Sequence, residues 1–258
     1  YTSYLLLNSE YPPCGIVVAT YKGIENRLKY EKIIIKNIGL ISRLSQILLS
    51  LIYKLIEGRS DAHMLKQLYN GIDFEDMIRL AKIKKVPILK LHSFDYNHFK
   101  AIDFINSLNP FYIVCHTPFW LSSKIRSLSR SKLTVGSHPG IVPWYRGANS
   151  SFWSIFNKQN ELNGYSFFFL DSGIDSGRII KQTYIDYSID FSHISNDYIL
   201  MNRMSKDYIN IVRDFSCNLI PKGIVQTPLT SSQIYKSPGL LQYLYFKINL
   251  FIRNKLVK

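Results

Sequence analysis

Short apolar runs alternate with helix-length amphipathic stretches along this chain. The pattern predicts an α/β fold, a mostly parallel sheet with helices on both faces, plus a helical C-terminal appendage. Three observations carry the prediction. Residues 15–20, 87–91, 111–115 and 132–138 are apolar runs of strand length. Residues 73–85, 96–108 and 119–129 lie between them with helical spacing. Two further strands are expected at 164–170 and 178–185, on either side of a glycine-bounded loop, and a long helix at 192–214 follows.

Taken in order, residues 1–8 read as part of a helix, whereas a domain of this kind opens with a strand; the reading therefore expects a first strand ahead of Tyr1. Residues 37–70 read as a helical insertion. Within it Ile41, Leu44, Leu48, Leu51 and Leu55 share one helical face while Arg43, Gln46 and Lys54 occupy others, which predicts an amphipathic helix over 38–56 that packs on the sheet or on a sister helix. Residues 1–220 form the main domain and 221–258 a basic, partly helical tail. In the tail, residues 240–258 are apolar and aromatic with Lys247, Arg253, Lys255 and Lys258 interspersed. Three roles fit that pattern: docking on its own core, a homodimer contact, or peripheral contact with an anionic membrane.

Composition bounds the function. A chain of 258 residues buries a full core. Cys14, Cys115 and Cys217 are far apart and odd in number, which excludes a disulfide framework and favours a reducing, cytoplasmic setting. No His/Cys/Asp cluster has metal-ligand spacing, so no metal is expected. Glycine-rich phosphate loops are absent, which argues against nicotinamide enzymes and ATPases. The net charge of +14 suits a phosphate, nucleotide, RNA or membrane partner, and equally follows from a Lys- and Ile-rich composition.

The segment from Val135 to Ile180 carries the chemistry. His138 closes a strand and opens a Pro-Gly loop, so its imidazole is placed at the carboxyl edge, where open α/β sheets bind ligands. Imidazole moves protons near neutral pH when a partner fixes its tautomer, and a carboxylate can do so. Asp175, between Gly173 and Gly177, is the candidate partner; Asp171, beside the strand, competes. Either motif alone reads as an ordinary turn. Both together, with Tyr145-Arg146-Gly147 between them, read as a site.

The run His-Pro-Gly-Ile-Val-Pro-Trp-Tyr-Arg-Gly-Ala, then Phe152-Trp153, Gly164 and Asp-Ser-Gly-Ile-Asp-Ser-Gly, resembles the folate-dependent formyltransferases. These include the glycinamide ribonucleotide, methionyl-tRNA and sugar N-formyltransferases. The resemblance implies a Rossmann-like domain that moves a formyl group from 10-formyltetrahydrofolate to a primary amine. It assigns His138 and Asp175 as catalytic, with Val114, His116, Phe119, Leu170, Asp171 and Ile174 around the folate, mainly through backbone atoms. Tyr145, Arg146 and Gly147 would meet the substrate. The pattern departs at Gly136, where the family carries an asparagine that helps hold the formyl oxygen; Ser137, Asn149 or a backbone N–H are the candidate replacements.

The acceptor follows by elimination within the resemblance. The tail after Pro221 is too short and too helical for the RNA-binding barrel of the tRNA enzymes, and the purine enzymes lack an insertion like 38–56. An amino-sugar nucleotide is thus the leading acceptor, a small molecule and not a nucleic acid, with Trp144, Tyr145 and Trp153 available to stack on a base or sugar. Glycinamide ribonucleotide, methionyl-tRNA, and a catalytically impaired folate- or nucleotide-binding homologue are the alternatives. A basic protein acting at membranes or nucleic acids through the tail is a further one. Of the other histidines, His92 ends a strand, and His63, His98 and His193 read as helix-surface or helix-start residues.

Overall fold

The computed structural model describes residues 1–19, 28, 31–32, 34–36, 38–91, 95–117, 119–188, 192–227 and 233–256. His92 lies outside them. The chain opens with α1 (Thr2–Asn8) and β1 (Ile16–Ala19), continues through α2 (Leu40–Ile56), α3 (Gly58–Leu68) and α4 (Phe74–Ile83), and reaches β2 (Ile88–Leu91). Then come α5 (Phe99–Leu108), β3 (Ile113–Cys115), α6 (Ser123–Arg126), β4 (Thr134–His138), β5 (Tyr145–Gly147) and α7 (Ser150–Phe156). The hairpin β6 (Gly164–Phe169) and β7 (Ile179–Tyr184), the long α8 (His193–Ser216), β8 (Gln233–Tyr235) and α9 (Leu240–Leu256) complete it.

The helix boundaries have local causes. Asp73 and Asp76 form a reciprocal capping box at the start of α4, Ser192 accepts from the Ser195 amide at the start of α8, and the His98 ring accepts from the Lys100 amide at the start of α5. The helix expected over 119–129 shrinks to four residues in α6. The Asn97 side-chain amide donates to the Trp120 carbonyl and accepts from the Ser122 amide, so both backbone groups are diverted from a helical ladder before Ser122 begins the turn.

Strands β1 and β2 pair in parallel, as do β3 and β4; β6 and β7 then add antiparallel to β4, giving the order β3-β4-β6-β7. The antiparallel half is a consequence of the short Asp175 loop, since hairpin-length connections join only antiparallel neighbours. Val135, Tyr165, Phe167 and Phe169 pack against Leu200, Met204, Tyr208, Ile211 and Phe215 of α8 on one face. Leu91, Cys115 and Leu121 pack with Ala101 and Ile102 of α5 and Ile125 of α6 in a second cluster. Burial of each such side chain stabilises by about 1.5–3 kcal/mol relative to exposure.

One expectation changes and a second is narrowed. The tail contains a strand, β8, that pairs in parallel with β5; three residues are too few to show a periodicity. Of the two packings open to helix α2, on the sheet or on a sister helix, the structure has the second, but with its apolar face left outward. None of its residues is buried, Ile41 and Leu55 are 85% and 86% exposed, and its neighbours are α3 and α9. Helix α9 docks on the protein's own core: Tyr243, Phe246 and Leu250 pack on Phe152 and Ile155. The Tyr243 hydroxyl donates to Glu57 at 2.7 Å, and Lys247 pairs with the same carboxylate. Among the described residues, no helix is long and apolar enough to cross a membrane.

Candidate active site

His138 ends β4 in register with Ser166 of β6, and the loop that follows is tied down by that serine. The Ser166 hydroxyl donates to the Gly140 carbonyl at 2.7 Å and accepts from the Val142 amide at 3.1 Å. The sheet therefore fixes both the strand and the turn that carry the imidazole. His138 itself is buried.

Its tautomer follows from its partners. Nε2 lies 2.9 Å from the Tyr145 carbonyl oxygen and 2.8 Å from Ser150 Oγ. A carbonyl only accepts, so Nε2 carries the proton and, in the neutral ring, Nδ1 is the basic nitrogen. Asp175 Oδ2 faces Nδ1 at 3.5 Å and accepts the Gly147 amide at 2.9 Å. The carboxylate thus stands opposite the ring nitrogen that Tyr145 and Ser150 leave free. The Tyr145 carbonyl and Ser150, rather than the carboxylate alone, orient the ring. Ser150 and Gly140 are site residues that the sequence did not single out. A Cβ at Gly140 would lie 2.6 Å from His138 Nε2 and 2.5 Å from Ser150 Cβ, so only glycine lets the ring sit where it does.

The Asp175 loop is held from below. Asp175 has a left-handed backbone, φ 50°. Gln226 donates from Nε2 to the carbonyls of Asp175 at 2.9 Å and Gly177 at 2.8 Å. Asp171 accepts the Gly173 amide and the Ser176 hydroxyl, which makes it a loop brace instead of a second catalytic carboxylate. Ile174, next to Asp175, is half exposed at 50%.

The remaining candidates divide. His116 and Ser137 meet across β3 and β4, with Nδ1 to Oγ at 3.1 Å. Val114 lies within β3, the Phe119 ring lies beside Tyr96, and Leu170 follows β6 with its amide on the Thr134 carbonyl. The Tyr145 ring is buried and stacked on Tyr235, and its carbonyl faces His138. Trp153 is likewise engaged, packed against Tyr235 with its indole N–H on the Lys236 carbonyl. Gly147 supplies the amide to Asp175, and Arg146 beside it has a buried Nε with no partner among the described residues. Asn149 occupies the N-cap of α7 in a left-handed conformation, and its side chain makes no cap hydrogen bond. At Gly136 the space for a side chain is already filled: a Cβ would lie 2.5 Å from Leu170 Cδ2 and 3.0 Å from its Cγ. His63 lies on the surface of α3 and His98 caps α5, whereas His193 starts α8 but is buried among rings. No cluster of three or more potential ligands for a metal ion occurs among the described residues.

An imidazole with a fixed tautomer and a facing carboxylate thus stands at the carboxyl edge of a mixed sheet. No family profile matches the chain. Over 51 residues it is 41% identical to the GDP-perosamine N-formyltransferase of Brucella melitensis biotype 1, covering 20% of this chain and 19% of that protein. Over 106 residues it is 30% identical to the methionyl-tRNA formyltransferase of Desulforamulus reducens, covering 40% of this chain and 32% of that protein. The matches thus span a fifth to a third of the length of these relatives. Among solved structures, the formyltransferase PseJ from Anoxybacillus kamchatkensis, in complex with UDP-4,6-dideoxy-4-formamido-L-AltNAc and tetrahydrofolate, superposes with a TM-score of 0.50 at 17% identity, over 67% of this chain and 87% of that one. The chain thus shares the α/β fold of that formyltransferase.

Proposed function

We propose that the protein transfers a formyl group from 10-formyltetrahydrofolate to the primary amine of a small molecule, with an amino-sugar nucleotide as the acceptor. The observation that carries the reading is the His138–Asp175 pair, in which the Tyr145 carbonyl and Ser150 commit Nε2 and leave Nδ1 opposite the carboxylate. The residues around it suit a folate. Ile174 presents an apolar side chain beside Asp175, and His116 follows β3 with its ring against Ser137 and Tyr208. When bound, the folate would supply a formyl carbon held as an amide, at the oxidation level of formate, for transfer to the acceptor. His138 Nδ1 takes the proton released as the acceptor's amine forms its bond to that carbon, Asp175 stabilises the resulting imidazolium, and the same proton returns to the departing nitrogen. Asn149 is the candidate donor to the formyl oxygen in place of the side chain that Gly136 lacks. Its carboxamide is not spent on capping α7, and it lies two residues from Gly147.

The likeness to a GDP-perosamine enzyme and to a structure holding a UDP-sugar supports the sugar nucleotide, and the likeness to a methionyl-tRNA enzyme keeps methionyl-tRNA as the alternative acceptor. The test is tetrahydrofolate production against amino-sugar nucleotides, glycinamide ribonucleotide and methionyl-tRNA. Production that depends on an amino-sugar nucleotide is expected. Folate binding with no acceptor-dependent production would instead favour a catalytically silent binding protein, the reading that the Leu170 side chain in the Gly136 space supports.

A further inference from the structure

The outer faces of α2 and α9 are apolar and, among the described residues, uncovered. Helix α2 turns Leu49 toward the cluster of Phe152, Ile155, Tyr243, Phe246 and Leu250, and its Ser45 hydroxyl accepts the Leu240 amide at 2.9 Å. Ser45 and Leu49 lie one turn apart on one face. Ile41, Leu44, Leu48, Leu51 and Leu55, spaced three and four residues apart, form a second stripe, and all five are exposed. Helix α9 is built the same way. Tyr243, Phe246 and Leu250 face the core, whereas Leu241, Tyr245, Ile248 and Ile252 recur at helical spacing on the opposite side and are exposed. Leu240 meets Ser45, and Lys247 meets Glu57 just past the end of α2, so the two helices run side by side in the same sense. Monomeric soluble proteins rarely leave so extended an apolar patch in water, and one that is kept marks a surface that meets a partner.

We propose that this face is a docking surface for an anionic lipid bilayer, on which α2 and α9 lie in the plane of the headgroups. Charge selects that partner. Residues 40–56 and 240–256 contain Arg43, Lys54, Lys247, Arg253 and Lys255 and no aspartate or glutamate. Arg43 and Lys247 find carboxylates outside the two helices, in Glu31 and Glu57. A second copy of this chain would set one cation-bearing face against another, on molecules of net charge +14, whereas anionic headgroups complement it. A bilayer also accepts two apolar stripes without a matching cavity, because the side chains enter the boundary between headgroups and acyl chains, about 5–10 Å deep. The contact is peripheral: α2 and α9 are each 17 residues long and interrupted by charge, and neither is long and apolar enough to cross.

Vesicle binding tests this docking apart from catalysis. The full chain is sedimented with vesicles of phosphatidylcholine alone and of phosphatidylcholine mixed with phosphatidylglycerol. Binding is expected to be at least about tenfold tighter on the anionic vesicles in about 0.1 M salt, and to weaken toward the neutral-vesicle value in about 1 M salt. Ile41→Gln, Leu48→Gln and Leu55→Gln combined should weaken binding to the anionic vesicles by about tenfold or more. The Tm of that variant should stay within about 2 °C of the parent, because exposed side chains contribute little to the fold. Leu241→Gln with Ile248→Gln should weaken binding in the same direction. Equal binding to the two kinds of vesicle, absence of binding included, or undiminished binding by the α2 variant would overturn the proposal. So would a concentration-dependent dimer in sedimentation velocity that the α2 variant abolishes, since the face would then belong to a second copy.

Discussion

His138 and Asp175 were legible in the sequence because a strand-ending histidine and a glycine-bounded aspartate announce themselves by neighbouring turn chemistry. The groups that fix the imidazole were not, because one is a backbone carbonyl and the other a serine at a helix start, neither of which has a sequence signature. Gly140 tests that positioning. Gly140→Ala drives a methyl into His138 Nε2 and Ser150, and overpacking of this kind costs about 1–3 kcal/mol. We expect a lower Tm together with a fall in kcat larger than any rise in KM. Leu170 tests the Gly136 departure. Gly136→Asn alone should lose stability of similar size, and Gly136→Asn with Leu170→Ala should recover it, as read by urea unfolding of both proteins. No recovery would show that the Leu170 side chain is not what fills the space.

At the scale of elements, the loop between β6 and β7 is as important as the strand bearing His138. Its short length forces the antiparallel hairpin, and Gln226, from the tail segment, clamps two of its carbonyls. The tail thereby reaches the site without touching the imidazole. Gln226→Leu leaves both carbonyls without that donor, a loss of about 1–3 kcal/mol. Steady-state kinetics should show reduced kcat, and the Asp175 loop should become protease-sensitive. An unchanged kcat would mean that the loop holds itself. The positions of β1 to β4 were readable from apolar runs, although each strand starts one or two residues later than its run, whereas α6 is shortened by side-chain bonds from Asn97, a contact between segments distant in sequence that no local pattern encodes.

For the whole molecule, periodicity gave the alternating layers and missed how the ends close over them. Helix α9 was open to three roles as a sequence, and its Tyr243, Phe246 and Leu250 face the core beside His193. That histidine starts α8, as its position in the sequence suggests, and it is not on the surface but sits among Tyr53, Phe152, Tyr243 and Phe246. Burial pushes its pKa down to about 4, against the opposing pull of Glu57 and Asp61. The unfolded chain therefore binds a proton that the fold excludes between about pH 6.5 and 4, and stability falls as pH drops through that window. Urea midpoints should decline less steeply from about pH 7 to pH 5 in His193→Phe than in the parent protein. Parallel declines would place the acid sensitivity elsewhere. The same domain-scale layering sets His138 at the carboxyl edge of the sheet, and the most direct test of its assigned role compares His138→Ala with the parent protein. With an acceptor that supports tetrahydrofolate production, the account predicts a loss of at least about 10²-fold in turnover with folate binding retained. Turnover at the parental rate in His138→Ala would contradict it.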